Sequence, residues 1–139
     1  MLQRTYTMIK PECVQAKHIG DVIARIEKGG YQILGLKMVH MSKSDAEAFY
    51  AIHKERPFFP ELTAFMSSGP IVAMVLEKEN AIADYRAFIG ATNPAEAAAG
   101  TIRRDFGSNI QNNCVHASDS PENALTEIKF FFSERELVG

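Results

Sequence analysis

Ile71-Val72-Ala73-Met74-Val75-Leu76 is the longest aliphatic run in the chain, entered from Gly69-Pro70 and left through Glu77 to Asn80. A short continuous apolar run bounded by turn signals is the pattern of a strand covered on both faces or central in a sheet. It falls far short of the roughly 18 residues that would suggest a membrane span. This run predicts the strand around which the other elements pack.

Working back towards the N-terminus, Leu62, Phe65 and Met66 form a helical stripe that Pro60 is placed to open, after the break Arg56-Pro57-Phe58-Phe59-Pro60. Ala46, Phe49, Tyr50 and His53 recur at helical spacing, so a preceding helix is expected, with Tyr50 and His53 on one face. Ser44 and Glu47 have capping-box spacing at its start, and Ser42 is a further candidate cap. Tyr31 to Met41 is apolar without the helical period and predicts a long strand. Ile19, Val22, Ile23 and Ile26 predict a helix stopped at Gly29-Gly30, and Arg4 to Ile9 predicts a first strand running into the Lys10-Pro11 turn.

Towards the C-terminus, Ile82, Tyr85 and Ile89 define a helix ending at Gly90. From Ala91 to Asn113 regular patterning fails, with Asn93-Pro94, Gly100 and Gly107 breaking the stretch, and loops this long in compact domains usually carry function. Cys114 to Ala117 predicts a short strand, after which Ser120 caps a helix with Pro121 at its first position and Ala124, Ile128 and Phe131 on one face. This order predicts an α+β sandwich with one sheet face covered by helices.

With 139 residues, 46% of them apolar and 23% charged, the chain has the composition of a globular protein expected to form one domain over residues 1–139. A formal net charge of −2 disfavours a long polyanion such as nucleic acid as partner, while a small anion needs only a local cluster of Lys and Arg. Gln3, Arg4, Lys10 and Glu12 interrupt the region where a signal peptide would be apolar, so a cytoplasmic location is expected. Cys13 and Cys114 are read as free thiols of a reducing compartment, since one pair is not a disulfide framework and neither has zinc-site spacing.

A neutral imidazole is a good nucleophile near neutral pH when its other nitrogen donates a hydrogen bond that fixes the tautomer. His116 is a candidate, although a lone histidine between apolar and small residues is more often structural. Asn113, Ser118, Asp119 and Ser120 surround it with short polar groups, and Ser120-Pro121 points a helix N-terminus at the same region, a placement suited to an anion. A capped turn would account for Ser118 to Ser120 equally well if nothing else matched.

Five motifs, the His116 block and four others, carry the reading beyond that point. Asn113-x-x-His116-x-Ser118-Asp119-Ser120, Lys10-Pro11-Glu12, Arg56-Pro57-Phe58-Phe59, Gly90-x-Thr92-Asn93-Pro94 and Gly100-Thr101-Ile102-Arg103 stand in an order and spacing that resembles the nucleoside diphosphate kinase family. The resemblance spans nearly the whole chain. It implies a ferredoxin-like βαββαβ sandwich, with a four-stranded antiparallel sheet and helices covering it.

It also implies that His116 attacks the γ-phosphate of a nucleoside triphosphate, mainly ATP, becomes a pros-phosphohistidine, and then phosphorylates a nucleoside diphosphate in a ping-pong reaction. Glu127 holds the other imidazole nitrogen with help from Ser118, the orienting role that nucleophilic catalysis requires. Lys10, Arg86 and Arg103 match phosphate-binding positions, Thr92 matches a hydroxyl donor, and Tyr50 and His53 match groups near the phosphates. Phe58 resembles the aromatic on which the base stacks, opposite an aliphatic placed at Ile110, while Asn113 and Lys10 resemble the groups that bind the ribose 3′-hydroxyl. Stacking tolerates base identity, so broad base and sugar tolerance is implied.

Mg²⁺ is implied as the cofactor, carried by the nucleotide phosphates with no direct protein ligand. There is no Gly-x-x-x-x-Gly-Lys-Ser/Thr loop. Glu12 replaces a frequent Asp, and Ala117 replaces a frequent Gly, so the backbone beside His116 must accept a Cβ. A non-catalytic interaction module of the same fold would be favoured by loss of Lys10, Arg103 or Glu127, and all three are present. A homo-oligomer, tetramer or hexamer, with subunit contacts near Asn93-Pro94, is the remaining implication.

Overall fold

A computed structural model describes all residues from Met1 to Gly139. Its strands are β1 (Leu2–Ile9), β2 (Gln32–Val39), β3 (Ile71–Glu79) and β4 (Val115–Ala117). The helices are α1 (Pro11–Gln15), α2 (Ile19–Lys28), α3 (Lys43–Phe49), α4 (Phe59–Met66), α5 (Ala81–Ile89), α6 (Ile102–Phe106) and α7 (Pro121–Phe131). One antiparallel sheet results, in the order β2-β3-β1-β4. This is the split βαβ arrangement of a ferredoxin-like fold, as expected.

The run Ile71 to Leu76 is β3, flanked by β2 and β1, and it is fully buried. Strand alternation sends Val72, Met74 and Leu76 to one face, where they pack with Val22 and Ile26 of α2 and Tyr85 and Ile89 of α5. Ile71, Ala73 and Val75 face the other way, towards Ala46, Met66 and Ile128 of α3, α4 and α7. Helices therefore cover both faces, where the element order had predicted cover on one. The second layer comes from helices inserted between β2 and β3 and from the C-terminal α7. No helix is long and apolar enough to cross a membrane.

Local chemistry departs from expectation at two helix starts. The box that opens α3 is Ser42 with Asp45: the Ser42 hydroxyl accepts the Asp45 N–H at 3.0 Å, and the Asp45 carboxylate accepts the Ser42 N–H at 3.1 Å. Ser44 and Glu47 already lie inside that helix. Lys10-Pro11, expected as a plain turn, starts the short helix α1, because proline at the first helical position gives up an N–H that would have had no partner.

Candidate active site

The register pairs Met8 of β1 with His116 of β4, and alternation points His116 to the same sheet face as Tyr6 and Met8. Val115 and Ala117 turn to the opposite core. Ala117 lies in extended backbone, outside the positive-φ set, so its Cβ is accommodated without strain. Helix α7, opened by the Ser120 hydroxyl accepting the Asn123 N–H at 3.1 Å, crosses this face and delivers Glu127.

His116 Nε2 lies 2.9 Å from Glu127 Oε1, and the Ser118 hydroxyl donates to the same oxygen at 2.7 Å. The His116 side chain is 20% exposed and that of Glu127 14%. Since a carboxylate only accepts, the neutral imidazole carries its proton on Nε2 and presents a lone pair at Nδ1. Tyr50, Phe49 and Tyr6 wall the imidazole, with ring centroids at 6.2, 5.7 and 6.0 Å. From strand pairing, the Thr7 hydroxyl donates to the His116 carbonyl at 2.7 Å. An imidazole held in one tautomer and one orientation is equipped for nucleophilic attack.

The cationic groups converge from three other elements. Lys10, at the end of β1, is buried, and its Nζ donates to Asn113 Oδ1 at 2.7 Å and to the Gln111 carbonyl at 3.3 Å. Burial, followed by the charge of Arg103, lowers its pKa to about 8 against the pull of Glu12. The Asn113 amide in turn donates to the Thr92 carbonyl at 3.0 Å.

Arg103 on α6 donates to the carbonyls of Val115 and Gly90 at 2.9 and 3.2 Å, and its Nε is buried without a partner. Burial and the neighbouring Arg86 make its charged form less favourable than in water. Arg86 makes one long contact, 3.4 Å, to the Ala117 carbonyl. Gly90 is required where it stands: its φ is +100°, and a Cβ would sit 2.5 Å from the Thr101 hydroxyl.

Arg86, Thr92 and Arg103 line one cleft of about 380 Å³ together with Gly90 and Thr101. A larger cleft of about 690 Å³ lies between the start of β1 and α7, lined by Leu2, Arg4, Leu125 and Phe132. It contains none of the expected site residues. Two arginines and two threonine hydroxyls in the smaller cleft match an anion better than size alone would indicate.

The expected helical face of Tyr50 and His53 is corrected in its backbone and kept in its outcome. Helix α3 ends at Phe49, and a 3₁₀ turn over Ala51–His53 brings the two rings to 6.4 Å. Tyr50 is buried, and that burial raises its phenol, helped by the charge of Glu127. Phe58 precedes α4 with 47% of its surface exposed, 5.8 Å from His53. Ile110 is 60% exposed on a turn that the Asn109 side chain organises by accepting the N–H groups of Gln111 and Asn112.

The sequence pattern gives Tyr6, Phe49 and Thr7 no part in the site and marks Glu12 only as a departure from the family's frequent Asp. The first three touch His116 directly, and the Glu12 carboxylate accepts the Cys114 N–H at 3.3 Å. Period-two alternation in Tyr6-Thr7-Met8 was the available signal for β1, but it has meaning only once β4 is known to be its partner. The free-thiol reading is overturned: Cys13 of α1 and Cys114 are joined as a disulfide, with Cα atoms 5.1 Å apart. The fold brings together two residues that the sequence separates by 101 positions.

Residues 3–137 match the family model described as nucleoside diphosphate kinase. A nucleoside diphosphate kinase of Geobacter sp. (strain M21) is 58% identical, with 99% of this chain and 100% of the relative covered. The solved Aquifex aeolicus nucleoside diphosphate kinase superposes with a TM-score of 0.97 at 45% identity, covering 99% of this chain and all of the other. A halophilic nucleoside diphosphate kinase from Halobacterium salinarum, solved in complex with CDP, gives 0.94 at 39% identity over 100% of this chain and 93% of the other. Taken with the His116 site, these likenesses mean that the chain belongs to the nucleoside diphosphate kinase family of phosphotransferase enzymes.

Proposed function

We propose that this chain, acting as one domain over residues 1–139, moves the γ-phosphoryl group of a nucleoside triphosphate, mainly ATP, to a nucleoside diphosphate through His116. In the first half-reaction the Nδ1 lone pair forms a bond to the γ-phosphorus while the bond to the bridging oxygen breaks, and the first diphosphate leaves. In the second, the terminal oxygen of another diphosphate attacks the phosphohistidine and Nδ1 recovers its lone pair. The pathway is ping-pong.

One observation carries this reading: Glu127 and Ser118 hold the far side of the imidazole, so Nδ1 is the nitrogen left for attack. Lys10, Arg86, Arg103 and Thr92 bind the phosphates, and phosphoryl transfer depends chiefly on such positioning and charge stabilisation. Tyr50 and His53 lie near those phosphates, Phe58 and Ile110 bracket the base, and Asn113 with Lys10 receives the ribose hydroxyl. CDP in the Halobacterium salinarum protein is a ligand of the same chemical class. The donor set at the cleft is cationic, which suits phosphate oxygens, and Mg²⁺ is taken up with the nucleotide, where it neutralises phosphate charge. We infer a homo-oligomer, tetramer or hexamer, with broad base and sugar tolerance.

Incubation with γ-labelled ATP and Mg²⁺ tests the mechanism. The wild type is expected to become an acid-labile, alkali-stable phosphoprotein, and His116→Ala to stay unlabelled. A wild type that transfers phosphate without ever carrying the label would overturn it.

A further inference from the structure

Cys13 and Cys114 are chemistry-bearing side chains to which phosphoryl transfer gives no role, and they join the two segments that carry Lys10 and Asn113. Cys13 lies in α1, the five-residue helix that begins directly after Lys10, and Cys114 directly follows Asn113. The two segments already meet through polar contacts. The Lys10 N–H donates to the Cys114 carbonyl at 2.8 Å, the Cys114 N–H donates to Glu12 at 3.3 Å, and Lys10 Nζ donates to Asn113 Oδ1 at 2.7 Å.

Cys114 is held at φ +75°, a region that L-residues with a side chain rarely enter. On its N-terminal side the chain from Gly107 to Asn113 is irregular. The support of the nucleophile is separate. His116, Ser118 and Glu127 are fixed by β1 and α7, neither of which contains a cysteine. A change at the cysteine pair therefore reaches the Lys10–Asn113 contact first.

We propose that Cys13–Cys114 is a redox modification site that sets nucleotide affinity by aligning Lys10 with Asn113. This rests on the assignment of those two residues to the nucleotide. Oxidation by a peroxide converts one thiol to a sulfenic acid with release of water. The second sulfur then attacks the first, and hydroxide leaves to take up the second thiol's proton as another water. In the reverse direction a dithiol reductant attacks the cystine, is itself oxidised to a disulfide, and transfers its two protons to the protein sulfurs. Both cysteines are sealed from solvent, so reagents act when α1 lifts.

Once the bond is cut, Cys114 is free to leave its left-handed conformation and Asn113 to drift from Lys10. KM for the diphosphate is then expected to rise about fivefold, the lower range of coupling between linked sites, while kcat stays within about twofold. Closing a loop of about 100 residues also restrains the unfolded chain, so Tm is expected to fall by roughly 10 °C on reduction.

The test uses the full-length wild type and Cys13→Ser, each treated with hydrogen peroxide or with dithiothreitol. Thiols are counted by maleimide labelling under denaturing conditions, followed by mass analysis. Peroxide-treated wild type should take no maleimide and show the lower KM, and reduced wild type should take two and show the higher. Cys13→Ser should match the reduced wild type under both treatments. Two labelled thiols after peroxide, or a KM that is unchanged while the labelling state changes, would overturn the proposal. Cys13→Ala repeats the test if the serine variant folds poorly. Failure of the functional reading would be seen separately, as the absence of labelled His116 in either redox state.

Discussion

The two halves of the site are built on opposite principles. The groups that fix the His116 imidazole are satisfied within the protein, although the Tyr6 hydroxyl beside it is buried without a partner: Glu127 Oε1 takes both the imidazole and the Ser118 hydroxyl, and Thr7 takes the His116 carbonyl. On the phosphate side the cations are incompletely paired, and two of them, Lys10 and Arg103, are desolvated while Arg86 is exposed. Lys10 is buried with a pKa lowered to about 8, Arg103 keeps a buried Nε without a partner, and Arg86 makes a single long contact. On the proposed function, the nucleophile is thus finished before substrate arrives, whereas the cationic cleft is completed by the phosphates that enter it. A buried, unpaired cation costs stability, and an incoming anion offsets that cost.

Substitutions should separate the halves by which kinetic constant they change. His116→Ala is expected to have the largest effect, lowering kcat by at least about 1000-fold with no phosphoenzyme formed. Arg103→Ala should come next, losing roughly 100- to 1000-fold in kcat/KM, if its charge stabilises the transferring group as proposed. Calorimetric binding of a diphosphate to that variant should weaken as well. Unchanged binding with only kcat lost would show that the arginine acts at the nucleophile instead.

Glu127→Gln preserves shape while removing the charge that holds the Nε2 proton, and about a 10- to 100-fold loss in kcat is expected with little change in diphosphate affinity. If affinity fell and the phosphorylation rate did not, the contrast between the halves would fail.

Lys10 supplies a pH test in which binding and stability move in opposite directions. Kinetic kcat/KM should fall as pH rises through about 8, where free Lys10 loses its charge. Stability of the substrate-free protein should rise from about pH 8 to about pH 9, because there the unfolded chain holds a proton on Lys10 that the folded chain has lost, and the tyrosines, whose phenols are raised in the fold, do not yet titrate. Urea titrations at graded pH measure the second effect. A stability that stays flat or falls across this window would mean that Lys10 keeps its charge in the folded state. The smallest effect is expected from Phe58→Ala, about a tenfold rise in KM shared by purine and pyrimidine diphosphates, as stacking predicts. A loss confined to one base would assign Phe58 a recognising role.

Much of this is legible in the sequence. The unbroken run Ile71 to Leu76 announced a central strand, and the motif around His116 announced the proposed nucleophile with Ser118 beside it. Linear order does not report register, so nothing in the sequence places Tyr6 and Phe49 beside His116, which they wall. The start of α3 offered two candidates, the Ser44–Glu47 box and Ser42 as a cap, and the fold uses Ser42. Ser42–Asp45 and Ser44–Glu47 have the same spacing, and only the conformation of the chain leaving β2 selects the first.

The sequence by itself determined which residues are able to carry the chemistry and the order of the elements that present them, because hydrophobic period and residue type are local properties. Tertiary structure decided that helices cover both sheet faces, that Glu127 reaches Nε2 across from α7, and that Cys13 meets Cys114. Those outcomes depend on strand register and on contacts between positions as many as 101 residues apart, which no local pattern encodes.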